Sequence, residues 1–145
     1  MDTEEILARL RDTDEKAAYA FAKELGAASA QAGTYYGMIP AFASLLGEKS
    51  SYVRTRAFFL ICDQARWDTE GRIAAVFDRM RPLLSDEKPT VVRQCLGALR
   101  EVLLFRPELG DRIEEAVRSI DLSRYKESMA PLIEKDREKL LALLL

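Results

Sequence analysis

The chain carries one stretch twice. LLGEKSSYVRTRAFFLICDQA, from Leu45 to Ala65, is echoed by LLSDEKPTVVRQCLGALREVLL, from Leu83 to Leu104. Val53-Arg54 aligns with Val92-Arg93 at an offset of 39 residues, and Leu45-Leu46 aligns with Leu83-Leu84 at 38. Each copy reads as the end of one helix, a short polar turn, and a second helix opening on a valine-arginine pair. Such a helical hairpin has an apolar face that it cannot cover alone, so neighbouring units must stack to close a common core. Elsewhere the apolar residues also recur at helical spacing, and no alternating run is long enough for a strand. The expectation is one all-α domain of about seven to nine helices in antiparallel pairs.

Local signals divide the chain further. Asp2 or Thr3 is placed to cap a short first helix whose apolar face is Ile6, Leu7 and Leu10. Asp12 followed by Glu15 starts a second helix over about 13–31, striped by Ala17, Ala18, Phe21, Leu25 and Ala28, and Gly33 ends it. A third helix is expected from Thr34 to Leu46, kinked by Pro40. Ser51 is the expected cap of a fourth helix that buries Val53, Ala57, Leu60, Ile61 and Gln64. Thr69 caps a fifth, with Ile73, Val76, Phe77 and Met80 inward and Pro82 bending its end. A sixth runs from Thr90 to Phe105, and Pro107 opens a seventh. Ser123 caps an eighth interrupted by Pro131, and a last helix from Asp136 ends in LLALLL. The resulting hairpins are 3–32, 34–67, 69–106 and 107–134, with a capping helix at 136–145. Connections of about two to five residues suit antiparallel neighbours.

Residues 34–106 resemble HEAT repeats. The features carrying the resemblance are paired leucines closing the first helix, an acidic residue in the turn, and Val-Arg early in the second helix. The resemblance implies a HEAT-like or armadillo-like right-handed α-solenoid. It also implies that the turn acid and the arginine bond across neighbouring units, a role that falls to Asp86, Arg54 and Arg93, with Glu48 as a second turn acid. Fold alone does not carry function.

Composition removes several function classes. With no histidine, the chain lacks the commonest general base and the commonest metal ligand. Cys62 and Cys95 stand 33 residues apart inside helical patterns and read as small buried side chains. No glycine-rich phosphate loop appears, and no metal or cofactor is expected. Basic and acidic residues, 22 and 24, nearly cancel, which disfavours a nucleic-acid binder. No apolar run is long enough for a membrane span, and the acidic start is unlike a signal peptide, so a cytoplasmic location is expected.

Three features bear on function. Tyr52, Arg56, Phe59 and Asp63 share one face of the fourth helix by their spacing, apart from its core stripe. In a HEAT-like stack the second helices line the concave side, so these four residues are the expected contact surface for a protein or peptide partner. Core packing explains Phe59 equally well. If the face is functional, removing Phe59 and Arg56 together abolishes capture and leaves the melting transition unchanged. Trp67-Asp68 supplies the rival reading, because HEAT-like alkylated-base DNA glycosylases use tryptophan, tyrosine and aspartate around a DNA-facing groove. Basic residues from Arg54 to Arg106 either align into a stripe or are paired with the interleaved acids. Leu140, Leu141, Leu144 and Leu145 either dock onto the preceding hairpin or seed a weak homodimer.

Overall fold

A computed structural model describes residues Met1–Leu145. It is all-helical, with eight α-helices: α1 (Thr3–Leu10), α2 (Glu15–Gln31), α3 (Ile39–Ala43), α4 (Ser51–Asp63), α5 (Arg72–Met80), α6 (Pro89–Phe105), α7 (Gly110–Arg118) and α8 (Ala130–Leu141). Short 3-10 segments lie between them, among them Tyr36–Met38, Ala65–Trp67 and Arg81–Ser85. No helix is long and apolar enough to cross a membrane.

The even-numbered helices pack in series, α2 on α4, α4 on α6 and α6 on α8. The odd-numbered ones follow on the other side, α1 on α3 and α3 on α5, with α7 against the Arg81–Ser85 segment. A single core runs through all eight helices from Ile6 to Leu140. Its largest members, Phe42, Phe58 and Phe77, are fully enclosed, each stabilising the fold by roughly 1.5–3 kcal/mol relative to an exposed position. Helix α4 packs against α2, α3, α5 and α6. That central position explains why its buried residues extend beyond one stripe to Phe58, Thr55 and Arg56.

Arginine side chains bond backbone carbonyls far away in the sequence. Arg66 donates to the Ala30 carbonyl at 3.0 Å, and Arg106 donates to the Ala65 carbonyl at 2.8 Å. On the other side Arg79 reaches Ala43 O at 3.1 Å and Arg112 reaches Ala74 O at 2.8 Å. These bonds span 36, 41, 36 and 38 residues, close to the offset between the two sequence copies. Val53 and Val92 are both buried, each near the start of its helix.

Several local expectations are corrected. Pro131 does not interrupt a helix. It lies in the first turn of α8, where its missing N–H would have no partner in any case. The expected boundary between a hairpin ending at 134 and a cap starting at 136 therefore disappears into one helix. Ser123 caps nothing there, since residues 122–124 form a 3-10 turn on Asp121. Pro40 and Pro82 likewise begin short segments and do not kink long ones. The α2 cap is Asp14, whose side chain accepts from Ala17 N, and the α4 cap is Ser50, one residue before the expected Ser51.

Candidate groove on the second helices

A groove of about 820 Å³ opens across α2, α4 and the first turns of α6. That volume is typical of a ligand pocket. Tyr52, Arg56, Phe59 and Asp63 all line it, so the spacing on α4 does bring them together. The opposite wall comes from α2, through Tyr19, Lys23 and Gly26, and one end is closed by Lys88 and Val91. Apolar floor is supplied by half-buried Phe59 and buried Leu60 and Val91.

The four α4 residues differ in what they offer. Tyr52 is 61% exposed and, with Tyr19 at 57%, presents an aromatic face to solvent. Phe59 is half-buried and packs against the core cluster from its edge, so it serves both as floor and as packing. Arg56 departs from the expectation of a free contact residue. It is buried, donates to the Leu10 carbonyl at 2.9 Å, and pairs with Glu15. It fixes the end of α1 and the start of α2 to α4, and so holds one groove wall in place. Removing it together with Phe59 disturbs the scaffold as well as the surface.

Asp63 stands alone. Burial and the negative charge of Glu101 raise its pKa to about 6, only partly opposed by Arg66. Arg66 is itself engaged with Glu101 at 3.1 Å and with Ala30 O. No hydrogen bond acts on the Asp63 carboxylate. Its close approach to α2 depends on Gly26, where a Cβ would lie 2.9 Å from Oδ2.

The residues assigned to the repeat motif behave differently. Arg54 Nη2 bonds Asp86 Oδ2 at 2.7 Å, and Nη1 bonds the carbonyls of Glu48 and Lys49. Arg93 pairs with Asp136 at 2.6 Å, so its acid comes from inside α8 and not from a turn. The reason is visible one unit beyond Asp86, where the chain has Tyr125, and its hydroxyl donates back to Asp86 O at 2.7 Å. Glu48 faces Arg11 at 2.9 Å.

Trp67 and Asp68, the pair behind the DNA-glycosylase reading, lie outside the groove lining. Asp68 is buried, and its oxygens accept from the Tyr36 hydroxyl at 2.6 Å, Arg72 N at 2.8 Å and Ile73 N at 3.2 Å. It therefore caps α5, the role expected of Thr69. Gly71 completes the turn in the left-handed region at φ 72, which a side chain rarely tolerates. Trp67 Nε1 donates to Ser29 O at 2.6 Å, and its ring packs on Gly33.

Of the ten basic residues from Arg54 to Arg106, Arg54, Arg56, Arg66, Arg72, Arg81, Arg93 and Arg106 have acidic partners, and Arg79, Lys88 and Arg100 have none. Of the C-terminal leucines, Leu140 is buried and Leu141 and Leu144 pack on the core, while Leu145 is fully exposed. Cys62 and Cys95 are both buried free thiols, and burial pushes the pKa of each up, away from the reactive thiolate form. No protein-family model, curated protein or solved structure matches the chain.

Proposed function

We propose that the chain is a non-catalytic protein-binding module, a short HEAT-like right-handed α-solenoid that holds a partner segment in the groove across α2, α4 and α6. The serial packing of the even-numbered helices, and arginine bonds recurring at nearly one spacing, support the solenoid part of this reading. The observation that carries the binding part is the groove itself. Two exposed tyrosines flank an apolar floor there, and of the charged residues lining it only Arg56 and Glu15 pair with each other. Aromatic side chains around a preformed concavity are the usual anchors of a protein interface.

A photo-crosslinking residue placed at Tyr52 tests this in the cell of origin. A discrete protein adduct at position 52, absent when the same residue replaces exposed Leu132, supports the reading. Adducts equal at both positions, or none at 52, overturn it.

A further inference from the structure

The groove has two electrically different ends. Asp63 lies at the C-terminal end of α4, with its carboxylate facing the groove and no partner inside the chain. Lys88 lies at the other end, its ammonium donating to Ser51 Oγ at 3.0 Å beside the start of α4. An ammonium has three donors, so this one bond leaves the others free. Between the two ends run the apolar floor and the tyrosines.

We propose that the groove recognises a protein segment through a lysine or arginine side chain that pairs with Asp63, in a fixed direction set by an acidic residue on Lys88. The proposal rests on the groove being a protein-binding site and names what it binds. A half-buried carboxylate without a partner is costly, and a cation arriving from outside removes that cost. The aliphatic stem of lysine or arginine lies against Phe59 and Leu60 while its head reaches the carboxylate. The electron-rich faces of Tyr19 and Tyr52 also favour a cation, although Lys23 and Arg56 already lie over them. From Ser51 to Asp63, α4 covers roughly 18 Å at about 1.5 Å per residue. An extended chain covers that length in about five residues. The preferred segment therefore carries a basic residue and an acidic residue about five positions apart, with apolar residues between them.

Acidity tunes the contact. The charged groups acting on Asp63 are Glu101 from α6 and Arg66 beyond the end of α4, and Lys23 from α2 lines the same groove with its ammonium over the Tyr19 ring. Because burial and Glu101 hold the Asp63 pKa near 6, the carboxylate is largely protonated at pH 5 and largely charged at pH 7.5. Binding of the cation weakens across that interval.

The test selects a phage-displayed library of random 12-residue peptides on the full chain at pH 7.5 and measures synthetic versions of the enriched sequences by fluorescence anisotropy. The expected result is enrichment of lysine or arginine with an acid about five positions away. Asp63→Asn should weaken these peptides at least 10-fold, lowering the pH to 5 should weaken them by up to about 10-fold, and the variant's own affinity should not change with pH. Gly26→Ala is a second probe. It leaves the charge but pushes the carboxylate out of place, and it strengthens α2 by replacing a helical glycine. It should weaken binding several-fold in a protein that melts no lower than wild type.

Enriched peptides that are lost with Tyr52→Ala yet lack a basic residue, or bind Asp63→Asn unchanged, overturn this inference and leave the groove as a protein site. Butylamine binding as tightly as the peptide overturns it in favour of a small-amine site. Failure of any peptide to respond to either Asp63→Asn or Tyr52→Ala overturns the protein-binding reading as well.

Discussion

Helix α4 begins and ends in opposite electrostatic circumstances. Near its start, Arg54 is 17% exposed, reaches two backbone carbonyls, and pairs with an Asp86 side chain that is 8% exposed. At its end, half-buried Asp63 accepts no hydrogen bond and has only Arg66, already paired with Glu101, as a partial counter-charge. A fold that needs only to be stable has every reason to treat both ends alike. The first end joins two helical units, and the second is left open toward a groove. Substitutions along the helix should therefore change from structural to functional in their effect.

The largest effect is expected at the closed end. Arg54→Ala leaves the Asp86 carboxylate buried without its partner and frees two carbonyls, at a cost of about 3 kcal/mol. At roughly 2–4 °C per kcal/mol for a chain near this size, the melting temperature should fall by about 6–12 °C. Arg54→Lys should recover only part of the loss, because a point charge cannot replace the three-way fork. A melt within 2 °C of wild type for Arg54→Ala would show that the two ends are not different in kind.

Arg56 lies between the extremes. Its loss removes a charged hydrogen bond to Leu10 O and the pairing with partly exposed Glu15, which water can then solvate. Arg56→Ala should cost about 2 kcal/mol, read as a lower midpoint in urea with an unchanged slope. Unchanged stability would return Arg56 to the role of a free contact residue.

These two arginines also mark how far the sequence could be read. The Val-Arg pair at an offset of 39 marked the two copies, and the resemblance to HEAT repeats implied the Arg54–Asp86 bond, whereas the matching Arg93 takes its acid from α8. Arg56 was legible only as a position on a helical face. Nothing in its spacing reports that the end of α1 passes close enough to accept its hydrogen bond. The α2 wall was missed for the same reason. Tyr19, Lys23 and Gly26 do share one face by spacing, but only packing shows that this face lines one groove with Phe59 and Asp63. At Asp68, capping took a residue one position before the expected Thr69, since Gly71 lets the chain turn there. At α8, a proline read as an interruption was a start. Periodicity located most helices, although the one expected over Thr34–Leu46 shrinks to Ile39–Ala43 and the two expected after Ser123 become α8 alone, whereas caps and unpaired charges depend on three-dimensional partners.

At the open end, the expected stability effect is smaller and opposite in sign. The Asp63 pKa is raised from 3.8 to about 6, so the folded chain binds more protons than the unfolded chain between those values. Its contribution to stability is complete below about pH 4 and is lost as the pH rises through 6. Asp63→Asn removes the buried charge and should stabilise the protein at pH 7.5 by about 1 kcal/mol, after allowance for solvent reaching the groove. At pH 4 the variant and the wild type should melt alike. A variant less stable than wild type at pH 7.5 would mean that Asp63 has a partner within the fold.

The smallest change in stability is expected at Tyr52, and it separates surface from scaffold most cleanly. The ring is 61% exposed, and its one notable contact is with the Arg56 guanidinium, 6.0 Å from the ring centre. A cation–aromatic contact at an exposed site is worth about 0.5 kcal/mol, so Tyr52→Ala should shift the melting temperature by no more than about 2 °C. Loss of the aromatic anchor should nevertheless lower the affinity for a groove-selected peptide at least 10-fold, the magnitude of a hot-spot side chain. Stability and binding would then change independently along one helix, stability falling at Arg54 and binding at Tyr52. A peptide that binds Tyr52→Ala as tightly as wild type would leave α4 with a structural end and no functional one.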